Sequence, residues 1–324
     1  MKYDPILNLD STQLFAGKAV SLSKLTDCAL AVVKFDLAES RVNLLSSEVM
    51  AELAQVLSLL EQDAGKFKGA VFVSGKPDNF IAGADIKEIL KARQLSPEVA
   101  LSGCQDGKAL LARISALPFA TVAAIHGRCL GGGCELTLAC SERIASDSKK
   151  TVLGLPEVGL GVLPGWGGTV RAPLLVGFAP ALTLILNPLA PWSSRKAYKR
   201  GLVSEVVSED RLFDRACELA LGAKARPHKP SLIQRLSRKI LDSKPARFVV
   251  GGLAASLLEL KLGKNYPAPR TAVLVMNAAF ELPESNALRL ESSMFSLLCH
   301  SDACGKSVQK FLDYQKAKKA NAAS

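Results

Sequence analysis

Nowhere in the 324 residues is there a run of about 18 uncharged apolar side chains, so no segment reads as a membrane-spanning helix. The opening stretch, Met1-Lys-Tyr-Asp-Pro5, lacks the hydrophobic core of an export signal, and the expectation is an unexported, cytoplasmic protein. Aromatic residues are only 6% of the chain and are not interleaved with basic ones, which disfavours a base-stacking surface for nucleic acid. The three histidines (126, 228 and 300) are too scattered for a zinc set, so no metal is expected. The eight cysteines form no C-x-x-C pair and are expected as reduced thiols, three of them between 129 and 140 inside buried structure. Also missing are a G-x-x-x-x-G-K-[ST] phosphate loop and a G-x-S-x-G nucleophile elbow. A dinucleotide loop fares no better, because Gly159-Leu-Gly161 is followed by Pro164 where the third glycine belongs.

What is present is ordinary globular composition, 48% hydrophobic and 22% charged, in a chain long enough for one large domain or a domain with an appendage. The net charge of +11 points to an anionic partner, nucleic acid or a phosphorylated cofactor. Much of the excess lies in the C-terminal third, where a solvated helix face explains it equally well.

Residues 28–36, 69–74 and 119–125 are short runs rich in Val, Ala and Ile, as buried strands require. Between them, 45–63 has helical spacing with apolar residues at 49, 53, 56, 57 and 60, and 97–116 repeats the pattern more loosely. Strands alternating with amphipathic helices predict an α/β fold with parallel strands. Past about 207 the strand signal fades into helical stretches at 208–222, 230–241, 246–262, 270–281, 285–299 and 304–318. The expected organisation is a core over 1–225 and a helical extension over 226–324.

Three segments could carry chemistry. Ser74-Gly-Lys-Pro-Asp-Asn-Phe-Ile-Ala-Gly-Ala-Asp-Ile-Lys-Glu88 runs from a strand through Gly83 into a helix starting near Asp85. His126-Gly-Arg-Cys-Leu-Gly-Gly-Gly-Cys-Glu-Leu-Thr-Leu138 does the same through Gly131, Gly132 and Gly133. Both leave backbone N–H groups free at a helix start, and two such turns could converge on a developing oxyanion. The third, Leu153-Gly-Leu-Pro-Glu-Val-Gly-Leu-Gly-Val-Leu-Pro-Gly-Trp-Gly-Gly-Thr169, sets Glu157 among apolar neighbours that could raise its pKa. Plainer roles also fit: Glu135 as a complement to a helix dipole, Glu157 as a cap.

Together with Ala197-Tyr-Lys-Arg-Gly-Leu-Val-Ser-Glu-Val-Val207, these segments resemble the crotonase (enoyl-CoA hydratase/isomerase) superfamily over residues 28–222. The resemblance implies a spiral of strand–strand–helix units that binds acyl-CoA without metal or redox cofactor, coenzyme A entering only as part of the substrate. It carries the acid/base pair onto Glu135 and Glu157, and the oxyanion hole onto the N–H groups of Ala84 and Gly132. A further N–H beside the catalytic water falls on Gly165. Gly83, Asp85, Gly131, Pro156 and Trp166 would line the substrate, with Arg41, Lys76 and Lys87 near the coenzyme A phosphates. Trp166 replaces a residue commonly small in the family, and Leu186-Asn-Pro188 stands where relatives carry a Thr-Gly turn.

Asn265-Tyr-Pro-Ala-Pro269 and Leu288–Leu298 resemble the region after the hydratase domain in the α-chain of fatty-acid β-oxidation complexes. There an NAD-dependent dehydrogenase follows. The implied protein is a hydratase half, with a thiolase or dehydrogenase as partner and oligomers open. The competing readings are a Δ3-Δ2-enoyl-CoA isomerase, a non-catalytic coenzyme A-binding scaffold, and RNA binding through the basic surface.

Overall fold

The structure, a computed structural model, describes residues 10–263 and 265–321. Its strands are β1 (Ser11–Ala16), β2 (Val20–Leu25), β3 (Leu30–Phe35), β4 (Gly69–Ser74), β5 (Asn79–Ile81), β6 (Ala120–Ile125), β7 (Arg128–Leu130), β8 (Glu142–Ser146), β9 (Val152–Gly154), β10 (Trp192–Ser193) and β11 (Glu205–Val207). The helices are α1 (Ser47–Gln62), α2 (Ile86–Gln94), α3 (Pro97–Ala116), α4 (Gly132–Ala139), α5 (Gly168–Val176), α6 (Phe178–Ile185), α7 (Ser194–Lys199), α8 (Leu212–Ala220), α9 (Leu232–Leu241), α10 (Lys244–Leu262), α11 (Ala268–Glu281), α12 (Glu284–Cys299) and α13 (Asp302–Asn321). The chain divides into two compact units, each drawn from three separate stretches.

One unit takes the chain up to Ala84 with Gly107–Gly154 and Pro191–Leu232, and it holds both sheets. In the larger sheet the order is β1-β2-β3-β4-β6-β8-β11, antiparallel from β1 to β3 and parallel thereafter. The smaller sheet runs β5-β7-β9 in parallel with β10 antiparallel at its edge. Successive pairs β4–β5, β6–β7 and β8–β9 each give one strand to each sheet before a helix intervenes, which is the repeating unit of a crotonase-type spiral.

The expected strands and helices are present, and the reasons are local. Every residue of β4 is buried, so its sequence is an unbroken apolar run rather than an alternation. In α1, Ser46 caps the first turn by accepting the Val49 N–H, and Val49, Leu53, Val56, Leu57 and Leu60 face inward. The carboxylate of Glu52, on the same helix, accepts the N–H groups of Lys18, Ala19 and Val20 and so ties the β1–β2 hairpin to α1. Helix α8 lays Leu212, Ala216, Leu219 and Ala220 over Val71, Val73, Val122, Ala124 and Ile144 of β4, β6 and β8. Each fully buried Leu, Ile or Val there contributes roughly 1.5–3 kcal/mol.

The second unit comprises Asp85–Asp106, Leu155–Ala190 and the chain from Ile233 on, and is helical. Helix α11 buries Ala272, Val275, Met276 and Ala279 and packs against α5, α6, α10 and α12. Helix α12 in turn lies against α2, α5 and α13. Helices α9 and α10 turn large apolar side chains to solvent, among them Leu232, Ile233, Phe248, Leu253 and Leu260. Among the described residues no helix is long and apolar enough to cross a membrane.

Candidate functional site

In the sheet-bearing unit the site residues follow from one strand pair. β5 and β7 run parallel, with Ile81 opposite Cys129, so the loops leaving their C-terminal ends are neighbours. One loop carries Gly83 and Ala84, the other Gly131 and Gly132. The Gly83 carbonyl accepts the Leu45 N–H at 2.9 Å, and the Gly131 N–H donates to the Gly154 carbonyl at 2.9 Å, which pins both loops. The backbone at Gly133 lies so close to β5 that a Cβ there would stand 2.6 Å from the Ile81 carbonyl oxygen, an approach that only glycine permits. The Gly132 N–H is the first of α4 and has no intrahelical acceptor by geometry. No acceptor for it, or for the Ala84 N–H, occurs among the described residues.

Glu135 is the fourth residue of α4, its N–H on the Gly131 carbonyl at 3.0 Å and its side chain only 2% exposed. A carboxylate in the first helical turn is favoured by the helix dipole. At the other end of α4, Arg143 donates to the Thr137 and Cys140 carbonyls and closes the helix. This corner therefore offers two backbone donors and a buried carboxyl one turn further on. Such a set can hold a polarised carbonyl oxygen and move a proton.

The lead-in to β5 is fixed by side chains. Asn43 donates to the Phe35 and Phe80 carbonyls and to Ser74, while the Ser74 hydroxyl donates to the Asn79 carbonyl. His126 bonds Ser146 at 3.0 Å and the Pro77 carbonyl, as a satisfied structural side chain does. Lys76 is buried, its ammonium 2.6 Å from the Asp36 carboxylate and donating to the Leu37 carbonyl at 2.8 Å, so its charge is engaged within the chain. Arg41 is exposed.

In the helical unit, Asp85 caps α2 by accepting the Lys87 N–H at 2.9 Å, and the Lys87 side chain is exposed. Pro156 opens a 3-10 turn, Pro156–Leu160, on which Glu157 sits half-buried. The turn is held from α11's approach: the Tyr266 hydroxyl, itself buried, donates to the Val158 carbonyl at 2.9 Å. Burial pushes the Tyr266 phenol up, so it remains a donor at any ordinary pH. Gly165 is buried and Trp166 half-buried on the loop leading to α5. Two anchors here were not singled out from the sequence, Tyr266 and Glu291. The latter's buried carboxylate accepts the N–H of Gly167 at 2.7 Å and of Thr169 at 3.0 Å. Proline-flanked Tyr266 gave a weak signal, and Glu291 a lone acid in a stretch of small and apolar side chains.

A family model described as enoyl-CoA hydratase/isomerase matches residues 26–248. The fatty acid oxidation complex subunit alpha of Shewanella sp. (strain MR-4) is 38% identical over 285 residues, which is 87% of this chain and 39% of that protein. The protein of the same description from Aliivibrio fischeri is 40% identical over 274 residues, 84% of this chain and 39% of the relative. The chain thus spans 39% of the length of these curated relatives. In three dimensions it is similar to a carnitinyl-CoA dehydratase from Mycobacterium thermoresistibile, with a TM-score of 0.67 at 18% identity over 94% of this chain and 90% of that one, a likeness of fold.

Proposed function

The chain belongs to the enoyl-CoA hydratase/isomerase family, and from that premise we propose that it is a 2-enoyl-CoA hydratase of fatty-acid β-oxidation. The observation that carries this reading is the parallel pairing of β5 with β7, which sets the Ala84 and Gly132 loops side by side with buried Glu135 next along the chain. Those N–H groups polarise the thioester carbonyl and stabilise the enolate that forms when water adds. Glu135 orients the water and takes its proton as oxygen bonds to C3. Glu157 delivers a proton to C2 on the same face, giving the 3-hydroxyacyl-CoA.

Arg41 and Lys87, both exposed cations, are the candidates for the coenzyme A phosphates. Charge reversal at either is expected to raise KM several-fold with kcat nearly unchanged, and an unchanged KM clears that residue. The relatives named as subunits of a fatty acid oxidation complex support a partner in such a complex, for which a thiolase or dehydrogenase is the proposed identity.

The reaction is tested by loss of enoyl-thioester absorbance with short, medium and long 2-enoyl-CoA substrates. Wild type should turn over, while Glu135→Gln and Glu157→Gln should each lose about a thousandfold or more in kcat. Absence of turnover at every chain length sinks the reading. Surviving 3-enoyl to 2-enoyl isomerisation in the Glu135 variant would show that Glu157 alone can shuttle a proton.

A further inference from the structure

Helix α5 begins without a cap of its own. Its N-cap residue, Gly167, has φ +109°, a conformation that side-chain-bearing residues rarely adopt, so no Ser, Thr or Asp can sit there without strain. The free N–H groups at this helix start are served instead from α12. The Glu291 carboxylate, 124 residues away in sequence, accepts Gly167 N–H through one oxygen and both the N–H and the hydroxyl of Thr169 through the other. It is fully buried, and an anion at a helix N-terminus is electrostatically favoured there.

One turn further along α12, Phe295 stands behind the same loop. A Cβ on Gly165 would meet the Phe295 ring at 2.9 Å and the Cys104 sulfur at 3.2 Å. Two α12 side chains thus bracket the three residues 165–167, the carboxylate by hydrogen bonds to Gly167 and the ring by contact with Gly165. That leaves the Gly165 peptide little freedom along α12.

We infer that Glu291 is a positioning residue for the reaction, holding the Gly165–Thr169 loop so that the Gly165 N–H keeps its place beside the attacking water. The inference rests on the hydratase reading, in which that N–H supports the water. The hydrogen bonds of Glu291 to Gly167 and Thr169 give it a route to the reaction through the loop. Its loss should therefore weaken the chemical step and leave thioester binding largely alone, since misplacing a reacting group by about 1 Å can cost 10²-fold in rate.

The test compares wild type with Glu291→Gln and Thr169→Val in steady-state hydration of crotonyl-CoA. Active sites are counted by titration with a non-reacting acyl-CoA, and folding is followed by circular dichroism. The amide of Glu291→Gln keeps the size but turns one acceptor into a donor facing Thr169. The expected result is a kcat per titrated site lowered about 10- to 100-fold, with KM within about threefold of wild type. Thr169→Val removes one hydrogen bond only and should lose about 3- to 10-fold in the same way. A purely structural role would lower the number of sites and leave the rate per site untouched. If Glu291→Gln does not fold, the Thr169 variant decides. Full kcat per site in the folded variants, or a rise confined to KM, overturns the inference while wild-type turnover leaves the hydratase reading standing. A wild type that hydrates no enoyl thioester overturns both.

Discussion

Asn43 shows how much of the site's precision rests on single polar side chains. Its amide oxygen accepts the Leu37 N–H at 2.9 Å, its amide nitrogen reaches the Phe35 and Phe80 carbonyls and Ser74, and its own N–H donates to Asn79 at 2.7 Å. Five groups near β3, β4 and β5 are satisfied by one residue that is 2% exposed. Asn43→Asp removes both amide donors and sets a carboxylate against two carbonyl oxygens. It should cost roughly 3 kcal/mol, read as a lower urea midpoint with an unchanged slope. At this scale the sequence was informative where chemistry is local. The first-turn place of Glu135 and the start of α2 near Asp85 were both readable from spacing, but the cap that Asp85 supplies to α2 was not. Glu291 was not, because its partners lie more than a hundred residues upstream and no periodicity links them.

Among elements, β3, β4, β6 and most helices were legible, while β2, β8 and the short strands were not. β4 and β6 are apolar runs of six residues, and α1 and α8 bury the faces their spacing marks out. β5, β7, β9 and β10 have only two or three residues each, too few to display a period of two, yet they build the sheet that positions the candidate oxyanion donors. The β1–β2 hairpin escaped for another reason: β1 is largely exposed, so no apolar pattern announces it.

Two elements are also joined by charge. Arg215 of α8 grips Glu205 of β11 at 2.7 and 2.8 Å, and the Arg226 N–H adds a third hydrogen bond. The Arg215 guanidinium holds the Glu205 carboxyl below its ordinary range, despite the opposing effect of burial. A carboxylate depressed in this way stabilises the fold above its unfolded pKa of about 4.3, and that contribution vanishes as pH falls through the lower folded value. Arg215→Ala should lose about 3 kcal/mol at pH 7 by stranding Glu205. Its stability should then decline less steeply than wild type below about pH 4, which urea titrations across that range would measure. By contrast, Phe248 and Leu260 of α10 are 79% and 75% exposed. Replacing either by Ser should move stability by no more than about 0.5 kcal/mol, within a degree or two of the wild-type Tm.

For the molecule as a whole, the fading of strand signal past 207 was visible in the sequence, as were the helices beyond 232. That residues 85–106 and 155–190 share a core with those helices was not, since long-range packing leaves no local pattern. Removing residues 264–324 deletes α11, α12 and α13, and with them Tyr266 and Glu291. Such a truncation is expected to abolish the proposed hydration and to remove more helical signal than the deleted segments account for, because α5, α6 and α10 lose the helix they pack around. Circular dichroism beside a crotonyl-CoA assay would check both.

The interleaving of the two units also sets a timetable for synthesis. In both sheets the strands stand in the order in which they are made, so each sheet can grow at its edge as the chain leaves the ribosome. The stretch Asp85–Asp106 has no such option: its partner α12 ends at Cys299. At about 5–20 residues per second, the wait between the two is roughly 10–40 s. Throughout that interval α2 lacks the α12 and α13 surfaces it packs against, and a chaperone that holds the chain over those seconds should raise the yield of native protein.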